Sequence, residues 1–303
     1  MSRSALLLLL WAAPALGQAG TEGSLVVGLP ASTRSAALGG AGVALVGDAG
    51  AIFSNPAGIA TVRHLAVEAG YQRYLMGSTV SSAALALRLG RFEWGIGAHV
   101  LDYGSEDELV PDATLRRGTP TGRTFHSYDG VAVTGLVYRF GVIALGGSAK
   151  LAQQQIADVR AEAWAGDLGM AVAVFDIMAF GLSVQNLGGD LGNGYHLPRR
   201  TRAGFTMNYS DPQGGLRLLT TLELQWTEGR SAAFVGGVEG GLVQAGVGLI
   251  GRMGFATAPE TVEAGRLTMG AGVAVGHLQM DYAYQAYGVL ATGVHRLGLR
   301  WHP

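Results

Sequence analysis

Two histidines lie near hydroxyl or carboxyl groups and are the strongest candidates for chemistry in this 303-residue chain. His99 comes shortly before Tyr103, and His126 opens the run His126-Ser127-Tyr128-Asp129. A Ser/His pair could act on a lipid ester, and an Asp/His pair on a peptide. Neither histidine has a second partner at a spacing typical of a catalytic triad. We therefore predict no catalytic residue and no enzymatic activity.

Metal and cofactor sites are not predicted either. The seven histidines are scattered rather than clustered. The run Glu106-Asp107-Glu108 carries oxygen ligands that calcium could use, but a solvated acidic loop is the better interpretation. Gly39-Gly40-Ala41-Gly42 lacks the strand and helix that flank a dinucleotide-binding loop. We expect no cofactor.

Charged residues in the second half of the chain fall at alternate positions of apolar segments, in the phase that would face the inside of a barrel. An arginine that faced lipid near the bilayer midplane would cost roughly 2–4 kcal/mol, so these charges constrain the register. They either neutralise one another and fill the interior, which is the favoured interpretation, or line a path for a substrate. The predicted lumen-facing charges are Arg200, Arg202, Arg217, Glu223, Glu239, Arg252, Asp281, Arg296 and Arg300.

The elements that must position these charges are strands, because the hydrophobic pattern has a period of two. In the segment 216–226, leucines and Trp226 alternate with Arg217, Thr221, Glu223 and Gln225, and only Leu219 and Thr220 break the alternation. About fourteen such segments follow one another between His64 and Trp301. Most are about ten residues long, which is the length of a tilted strand that crosses a bilayer.

This pattern predicts an all-β fold, a transmembrane antiparallel β-barrel of about 14 strands. The compact segment that precedes the first strand could fit into the barrel mouth as a small N-terminal plug. Because the bilayer core holds no water, backbone groups there must pair within the protein, and a closed barrel achieves this. The apolar run 168–185 could instead form a membrane helix, but Asp176 interrupts it, and a turn at 175–177 would divide it into two strands.

The lengths of the connections indicate how the barrel is oriented. If both termini lie in the periplasm, the tight connections at 90–91, 140–141, 176 and 242–243 fall on the periplasmic side. The longer connections 104–127, 156–163, 188–198, 255–265 and 286–293 then fall outside, as is usual in outer-membrane barrels. The short connections at 76–77 and 228–231 do not follow this rule.

Composition and the N-terminus favour an exported membrane protein. Charged residues make up only 14% of the chain, 49 residues are glycine, and none is cysteine. The net charge of −1 gives no reason to expect a nucleic-acid partner. Residues 1–17 have the pattern of a cleaved signal peptide, with Arg3, an apolar stretch and the small residues Ala15 and Gly17. We assign residues 18–63 to the plug and residues 64–303 to the barrel, located in the outer membrane of a diderm bacterium.

The predicted plug is rich in glycine and turn-forming residues. Asp48 can cap the N-terminus of one short helical turn. Asn55-Pro56 then ends that turn, because a residue that precedes proline avoids the helical region. Taken alone, these residues predict a compact segment that could fit inside a barrel mouth.

The order of residues in this segment also resembles a known family. Arg34-Ser-Ala-Ala-Leu-Gly-Gly-Ala41, followed by Asp48-Ala-Gly-Ala and Asn55-Pro-Ala-Gly-Ile-Ala60, is similar to the opening of PorV/PorQ outer-membrane proteins. Those proteins are similar in turn to FadL-type transporters. The resemblance implies a fourteen-stranded barrel with the N-terminal segment folded in as a plug. The plug residues it identifies are Arg34, Asp48, Asn55, Pro56 and Gly58.

The resemblance leaves two functions open. PorV-like members serve type IX secretion, so the chain could be a secretion-associated or surface-attachment scaffold, which is the leading hypothesis. FadL-like members pass hydrophobic molecules through a lateral opening, so uptake of long-chain fatty acids or other hydrophobic compounds is the alternative. The expected partners are outer-membrane lipid with secretion-machinery proteins or exported cargo in the first case, and hydrophobic small molecules in the second.

Overall fold

The computed structural model describes residues 22–112, 117–175, 177–210, 215–258, 264–287 and 293–303. The predicted signal peptide, residues 1–17, and Asp176 lie outside these ranges. No helix within these ranges is long and apolar enough to cross a membrane.

Fourteen strands form one closed antiparallel barrel, and two short strands form a separate hairpin. Strand β1 closes the barrel against β16, with Val67 opposite Trp301, and each other barrel strand pairs with its neighbours in the chain or across the β8–β9 hairpin. The strands are β1 Leu65–Arg73, β2 Thr79–Leu89, β3 Phe92–Asp112, β4 Arg117–Phe140, β5 Ile143–Ile156, β6 Val159–Val174, β7 Met178–Gly188, β8 Asp190–Gly192, β9 Tyr195–His196, β10 Arg200–Ser210, β11 Leu216–Thr227, β12 Ala233–Gln244, β13 Val247–Ala256, β14 Ala264–Val275, β15 Leu278–Tyr287 and β16 Gly293–Trp301. The predicted fold class is confirmed.

Strand β11 shows why the alternation predicts the fold. Leu218, Leu224 and Trp226 are exposed on the outer face, whereas Glu223 is buried inside the barrel. The exception in the pattern, Leu219, also points inward, and it packs in an apolar cluster with residues of the N-terminal segment. An apolar residue in the inward phase therefore marks contact with the segment that fills the barrel.

The run 168–185 forms two strands, as predicted. Strand β6 ends at Val174 and β7 begins at Met178, so the connection spans 175–177. The other connections at this end of the barrel include those at 90–91, 141–142, 245–246 and 276–277. We call this end, where the C-terminal strand also finishes, the turn end, and the opposite end the loop end.

Two of the predicted long loops are wrong. Strands β3 and β4 continue to Asp112 and from Arg117, so most of 104–127 is a two-stranded ribbon. Strand β6 likewise begins at Val159 rather than near residue 164. The polar composition suggested loops, but Val110 opposite Thr119 and similar pairs keep the ribbon in register.

Residues 22–62, which we call the plug segment, contain four short helices inside the barrel. They are the 3-10 helices Leu25–Val27, Ala49–Phe53 and Pro56–Thr61, and the α-helix α1, Thr33–Ala37. One hydrophobic cluster joins Ile52 and Ile59 of this segment to Val133 and Val137 of β4. The core of the protein therefore lies between the plug segment and the inner wall of the barrel.

Two local predictions for this segment differ from the structure. Asp48 precedes the helix Ala49–Phe53, but its side chain makes no capping hydrogen bond. Its carboxylate binds arginines instead. Asn55 begins a helix rather than only ending one, because its side chain accepts a hydrogen bond from the Ala57 N–H.

Candidate functional site

Six ionised side chains close into a ring between the plug segment and the turn half of the barrel wall. Each arginine of the ring contacts two carboxylates, and the six contact distances lie between 2.6 and 2.8 Å. The plug segment supplies two members, and β12, β13, β15 and β16 supply one each. In order around this charge ring they are Arg34, Asp48, Arg300, Asp281, Arg252 and Glu239.

The charge ring is buried, neutral and tightly bonded. Arg34 donates through Nε and Nη2 to the two carboxylate oxygens of Glu239, each at 2.8 Å. Burial alone would raise the pKa of Asp48, but Arg300 and Arg34 outweigh burial and hold that pKa below its usual range. Removing charges from water is costly, so such a ring is stable only while every member keeps its partners.

A second carboxylate fixes the middle of the plug segment to β11. Glu223 accepts hydrogen bonds from the backbone N–H groups of Gly42 at 2.8 Å and Val43 at 2.9 Å. Arg202 pairs with the same carboxylate and donates to the Gly40 carbonyl at 2.8 Å. The backbone polar groups of the plug segment are thus satisfied by charged wall residues.

Asn55 holds the following part of the plug segment through three hydrogen bonds. Its Nδ2 donates to the carbonyl of Val43 at 2.7 Å and to that of Met170 at 3.0 Å, and its Oδ1 accepts from Ala57. Pro56 and Gly58, the neighbouring motif residues, are both buried. A Cβ on Gly58 would lie 2.7 Å from the Ala51 Cβ and 2.9 Å from the Leu45 carbonyl.

Glycines in the barrel wall allow the plug backbone to pass close by. A Cβ on Gly254 would lie 2.1 Å from the Gly39 nitrogen, and one on Gly181 would lie 2.1 Å from the Val43 carbonyl oxygen. Any side chain at these positions would force the plug segment away from the wall. Part of the high glycine content therefore serves the packing of the plug segment.

Residues 22–31 continue from this packed region to the loop end of the barrel. Asp129 on β4 accepts hydrogen bonds from the Ser24 hydroxyl at 2.8 Å and the Val26 N–H at 3.0 Å. Glu22 pairs with Arg230, which follows β11. These residues form a strap that crosses the loop half of the lumen and is bonded to the wall at β4 and after β11.

Open space lies on both sides of this strap. An inner cavity reaches from Val26 down to Asp48 of the charge ring. A loop-end pocket has a mainly apolar lining, which includes Leu25, Ile156, Val159, Leu191, Tyr195 and Pro198. Gly28 and Arg200 line both spaces, so they lie between the loop-end pocket and the inner cavity.

The inner cavity has polar groups among its apolar lining. His99 is 2% exposed, and its Nε2 has no hydrogen-bond partner among the described residues. Lys150, which also lines the cavity, pairs with Asp167 at 2.8 Å and donates to Asn186. The Phe53 ring lies 5.9 Å from the imidazole. This cavity therefore offers both apolar contact and hydrogen-bond donors.

The structure places the charged residues named from the sequence in four settings. Glu239, Arg252, Asp281 and Arg300 belong to the charge ring, together with Arg34 and Asp48 of the plug segment. Arg202, Glu223 and Arg296 hold plug backbone, and Arg296 Nη2 donates to the Ala31 carbonyl at 2.7 Å. Arg200 borders the two open spaces, and Arg217 is exposed at the turn end, where Nε donates to Asn208.

Several inward residues were missed by sequence reasoning. Glu68, Asp129, Lys150 and Asp167 are all buried in the first half of the barrel. Glu68 accepts a hydrogen bond from the Gly50 N–H at 3.0 Å. Each of these charges stands in the inward phase of its strand, so the signal used for the second half could have found them.

The run from His126 to Asp129 forms a different cluster from the one that the sequence suggested. His126 Nδ1 lies 3.2 Å from the Ser105 Oγ, and its Nε2 lies 3.3 Å from the Asp102 carboxylate. Ser127 instead accepts a hydrogen bond from the Ala157 N–H. The His126 and Asp102 side chains are 50% and 43% exposed. Such an open site has none of the enclosure that strengthens acyl-transfer chemistry.

The acidic run near this cluster belongs to the ribbon of β3 and β4. Glu108 accepts a hydrogen bond from the Thr121 hydroxyl at 2.6 Å and pairs with Arg123 at 3.6 Å. Among the residues that the structure describes, no group of three or more potential ligands could hold a metal ion.

Several solved structures share this architecture. The toluene transporter TbuX of Ralstonia pickettii shares 14% sequence identity, with a TM-score of 0.62 over 91% of this chain and 99% of that chain. The toluene transporter TodX of Pseudomonas putida shares 13% identity, with a TM-score of 0.59 over 89% and 96%. A FadL homologue of Pseudomonas aeruginosa shares 12% identity, with a TM-score of 0.54 over 90% and 98%.

These identities establish a shared fold. The sequence matches no protein-family model and no curated protein. Two of the three similar structures are transporters, the third is a FadL homologue, and none is a PorV or PorQ protein. The chain therefore has the fold of the FadL-type outer-membrane barrels.

Proposed function

We propose that this protein is an outer-membrane channel for the uptake of hydrophobic small molecules. The observation that carries this proposal is that the loop-end pocket and the inner cavity share Gly28 and Arg200 in their linings, so only these residues need to move to join the two spaces. The connections at the turn end are mostly tight and several at the loop end are longer, which supports a loop end that faces outward. A hydrophobic compound would then enter the loop-end pocket from outside and pass beneath the strap.

The lining of the two spaces supports a ligand with a large apolar part. Leu25, Ile156 and Tyr195 offer apolar contact near the mouth. Further in, His99 and Arg202 line the cavity and could meet a polar end of the ligand. The similar transporters carry toluene, which makes monoaromatic hydrocarbons one class to test and long-chain fatty acids another.

The charge ring blocks the direct route to the turn end, so an exit has to lie elsewhere. One candidate is the wall near Asp167, where the register of β6 and β7 shifts between Gly166 and Leu168. A groove on the lipid-facing side of the wall reaches Ser148 and Asp167 there, because Gly147 and Gly166 have no side chains to cover them. This exit agrees with the lateral opening that the FadL resemblance implies.

Filling the junction between the two spaces tests the proposed channel. Gly28 has φ −81° and ψ −28°, a conformation that any residue adopts, so Gly28→Trp is compatible with the backbone. We expect this variant to lose most of the channel-dependent uptake of labelled toluene or oleate by cells that express it. Ala132→Trp adds the same side chain on the exposed outer face and is the matched control.

Normal uptake by the Gly28→Trp variant would contradict the channel, provided that the variant is folded in the outer membrane. The secretion-associated scaffold is a separate hypothesis that gains no support from the similar structures. Loss of secreted proteins on deletion of the gene, with unchanged uptake, would favour that scaffold instead.

A further inference from the structure

Arg73 faces outward on the wall of the barrel at the loop end of its strand. Arg73 is the last residue of β1, and its exposed side chain lies in the same outward phase as Ala69 and Tyr71. It forms no side-chain hydrogen bond or ion pair with the residues that the structure describes. A guanidinium in this position needs either water or an anion from outside the chain.

A histidine and two tyrosines surround this position on the neighbouring strands. His295 of β16 lies directly opposite Arg73. Its Nδ1 is 2.7 Å from the Tyr282 hydroxyl, and its ring centroid is 5.2 Å from that of Tyr284. If the phenol donates to Nδ1, the imidazole proton is on Nε2, which can then donate to a ligand.

The aromatic residues indicate the depth of this cluster in the membrane. Tyr71, Tyr282 and Tyr284 all face outward near the loop end, and tyrosine concentrates where the apolar core of a bilayer meets the headgroups. Leu297 and Leu299 continue the same face toward the turn end. Arg73 and His295 are therefore placed at the level of the lipid headgroups.

Two other arginines near the loop end are paired with carboxylates of the protein. Arg160 at the start of β6 pairs with Glu162. Arg123 on β4 lies 3.6 Å from both Glu108 and Asp158. Arg160 therefore provides a comparison, since it is a loop-end arginine that already has a carboxylate partner.

We propose that Arg73 and His295 bind the phosphate group of an anionic lipid in the outer leaflet. A guanidinium offers two parallel N–H donors to phosphate, and the imidazole Nε2 adds a third from the adjacent strand. Tyr282 holds the imidazole in place, and Tyr284 packs beside it along the lipid chains. A lipid bound here would rest on the seam where β1 and β16 close the barrel.

The test compares a phosphorylated lipid with the same lipid after its phosphates are removed. The probes are bisphosphorylated lipid A, dephosphorylated lipid A and inorganic phosphate, each titrated against the full barrel in neutral detergent. We expect the wild type to bind the phosphorylated lipid about tenfold more tightly than the dephosphorylated one. Arg73→Gln should remove this difference, and Arg73→Lys should retain part of it.

Two matched variants complete the test. His295→Gln should weaken binding less than Arg73→Gln, because it leaves the guanidinium in place. Arg160→Gln removes an arginine that already has a partner and should bind as the wild type does. Every variant is first checked for the heat-dependent gel mobility of a folded barrel.

Three outcomes would overturn the proposal. The first is equal binding by the wild type and a folded Arg73→Gln variant. The second is equal affinity for the phosphorylated and dephosphorylated lipids. The third is competition by inorganic phosphate as strong as that by the lipid, which would identify a site for a free ion.

Discussion

In the half of the lumen near the turn end, charged side chains of the wall pair with charged side chains of the plug segment. In the half near the loop end, open space lies beneath the strap formed by residues 22–31. The charge ring gives each of Arg34, Arg252 and Arg300 two carboxylate partners. By contrast, the open space in the loop half reaches His99, whose buried Nε2 has no hydrogen-bond partner among the described residues. The proposed channel uses this difference, with the turn half of the lumen filled by the ring and the loop half left open for a ligand.

Removing one charge from the ring should have the largest effect on stability. Arg252→Met leaves Glu239 and Asp281 with one arginine each and the buried ring with a net negative charge. We expect a loss of about 3–5 kcal/mol in the free energy of unfolding. Reversible denaturant unfolding in lipid vesicles measures this loss.

The exposed pair Arg160–Glu162 provides the control for that prediction. Arg160→Met should change the free energy of unfolding by at most about 1 kcal/mol, because water screens the pair. Similar losses in both variants would contradict the distinction between a buried ring and an exposed rim.

A double substitution should recover part of the lost stability. Asp48→Asn and Arg300→Gln each leave an unmatched charge, whereas the double variant restores neutrality. We expect a coupling free energy of about 0.5–3 kcal/mol between the two positions from a double-mutant cycle in the same vesicles. If the stability losses of the two single variants simply added in the double variant, the two side chains would not be coupled, and the ring would be a set of independent contacts.

Stability should also depend on pH through Asp48. Burial opposes the charged form, but Arg300 and Arg34 overcome this and lower the pKa of Asp48 from its ordinary value of 3.8. The stabilisation is therefore fully present above pH 3.8 and disappears as the pH falls through the lower pKa of the folded protein. Asp48→Asn should make the unfolding midpoint less dependent on pH in this acidic range, and an unchanged slope would contradict the assignment.

The smallest effect on the free energy of unfolding is expected for a substitution in the loop half of the lumen. His99→Leu replaces a buried nitrogen that has no partner, so the free energy of unfolding should change by at most about 1 kcal/mol. The same unfolding assay checks this, and uptake measurements then show whether the imidazole contributes to the ligand path. A loss as large as that of Arg252→Met would mean that His99 belongs to the structural core.

The alternation of side chains was sufficient to predict the barrel but not the contacts inside it. Leu218 and Glu223 show their phases directly, because one face of β11 meets lipid and the other meets the plug segment. Which arginine meets which carboxylate depends on strands far apart in the sequence, as with Arg34 and Glu239. No local pattern encodes such a pair.

Turn chemistry was also harder to predict than strand phase. Asp48 has the residue type and position of a helix cap, but two arginines bind its carboxylate. The ribbon of β3 and β4 was interpreted as a loop because its residues are polar on both faces, so the hydrophobic signal is lost beyond the membrane. Backbone pairing continues there without that signal.

Thiol labelling from outside the cell tests the contrast between the two halves most directly, because the chain has no cysteine of its own. Gly28→Cys places a thiol between the loop-end pocket and the inner cavity, and Thr61→Cys places one on the exposed surface beyond the charge ring at the turn end. We predict that a small membrane-impermeant thiol reagent labels the Gly28 variant in intact cells and labels the Thr61 variant only after the outer membrane is permeabilised. Labelling of the Thr61 variant in intact cells, or protection of the Gly28 variant, would contradict a lumen that is open to the outside and closed at the turn end.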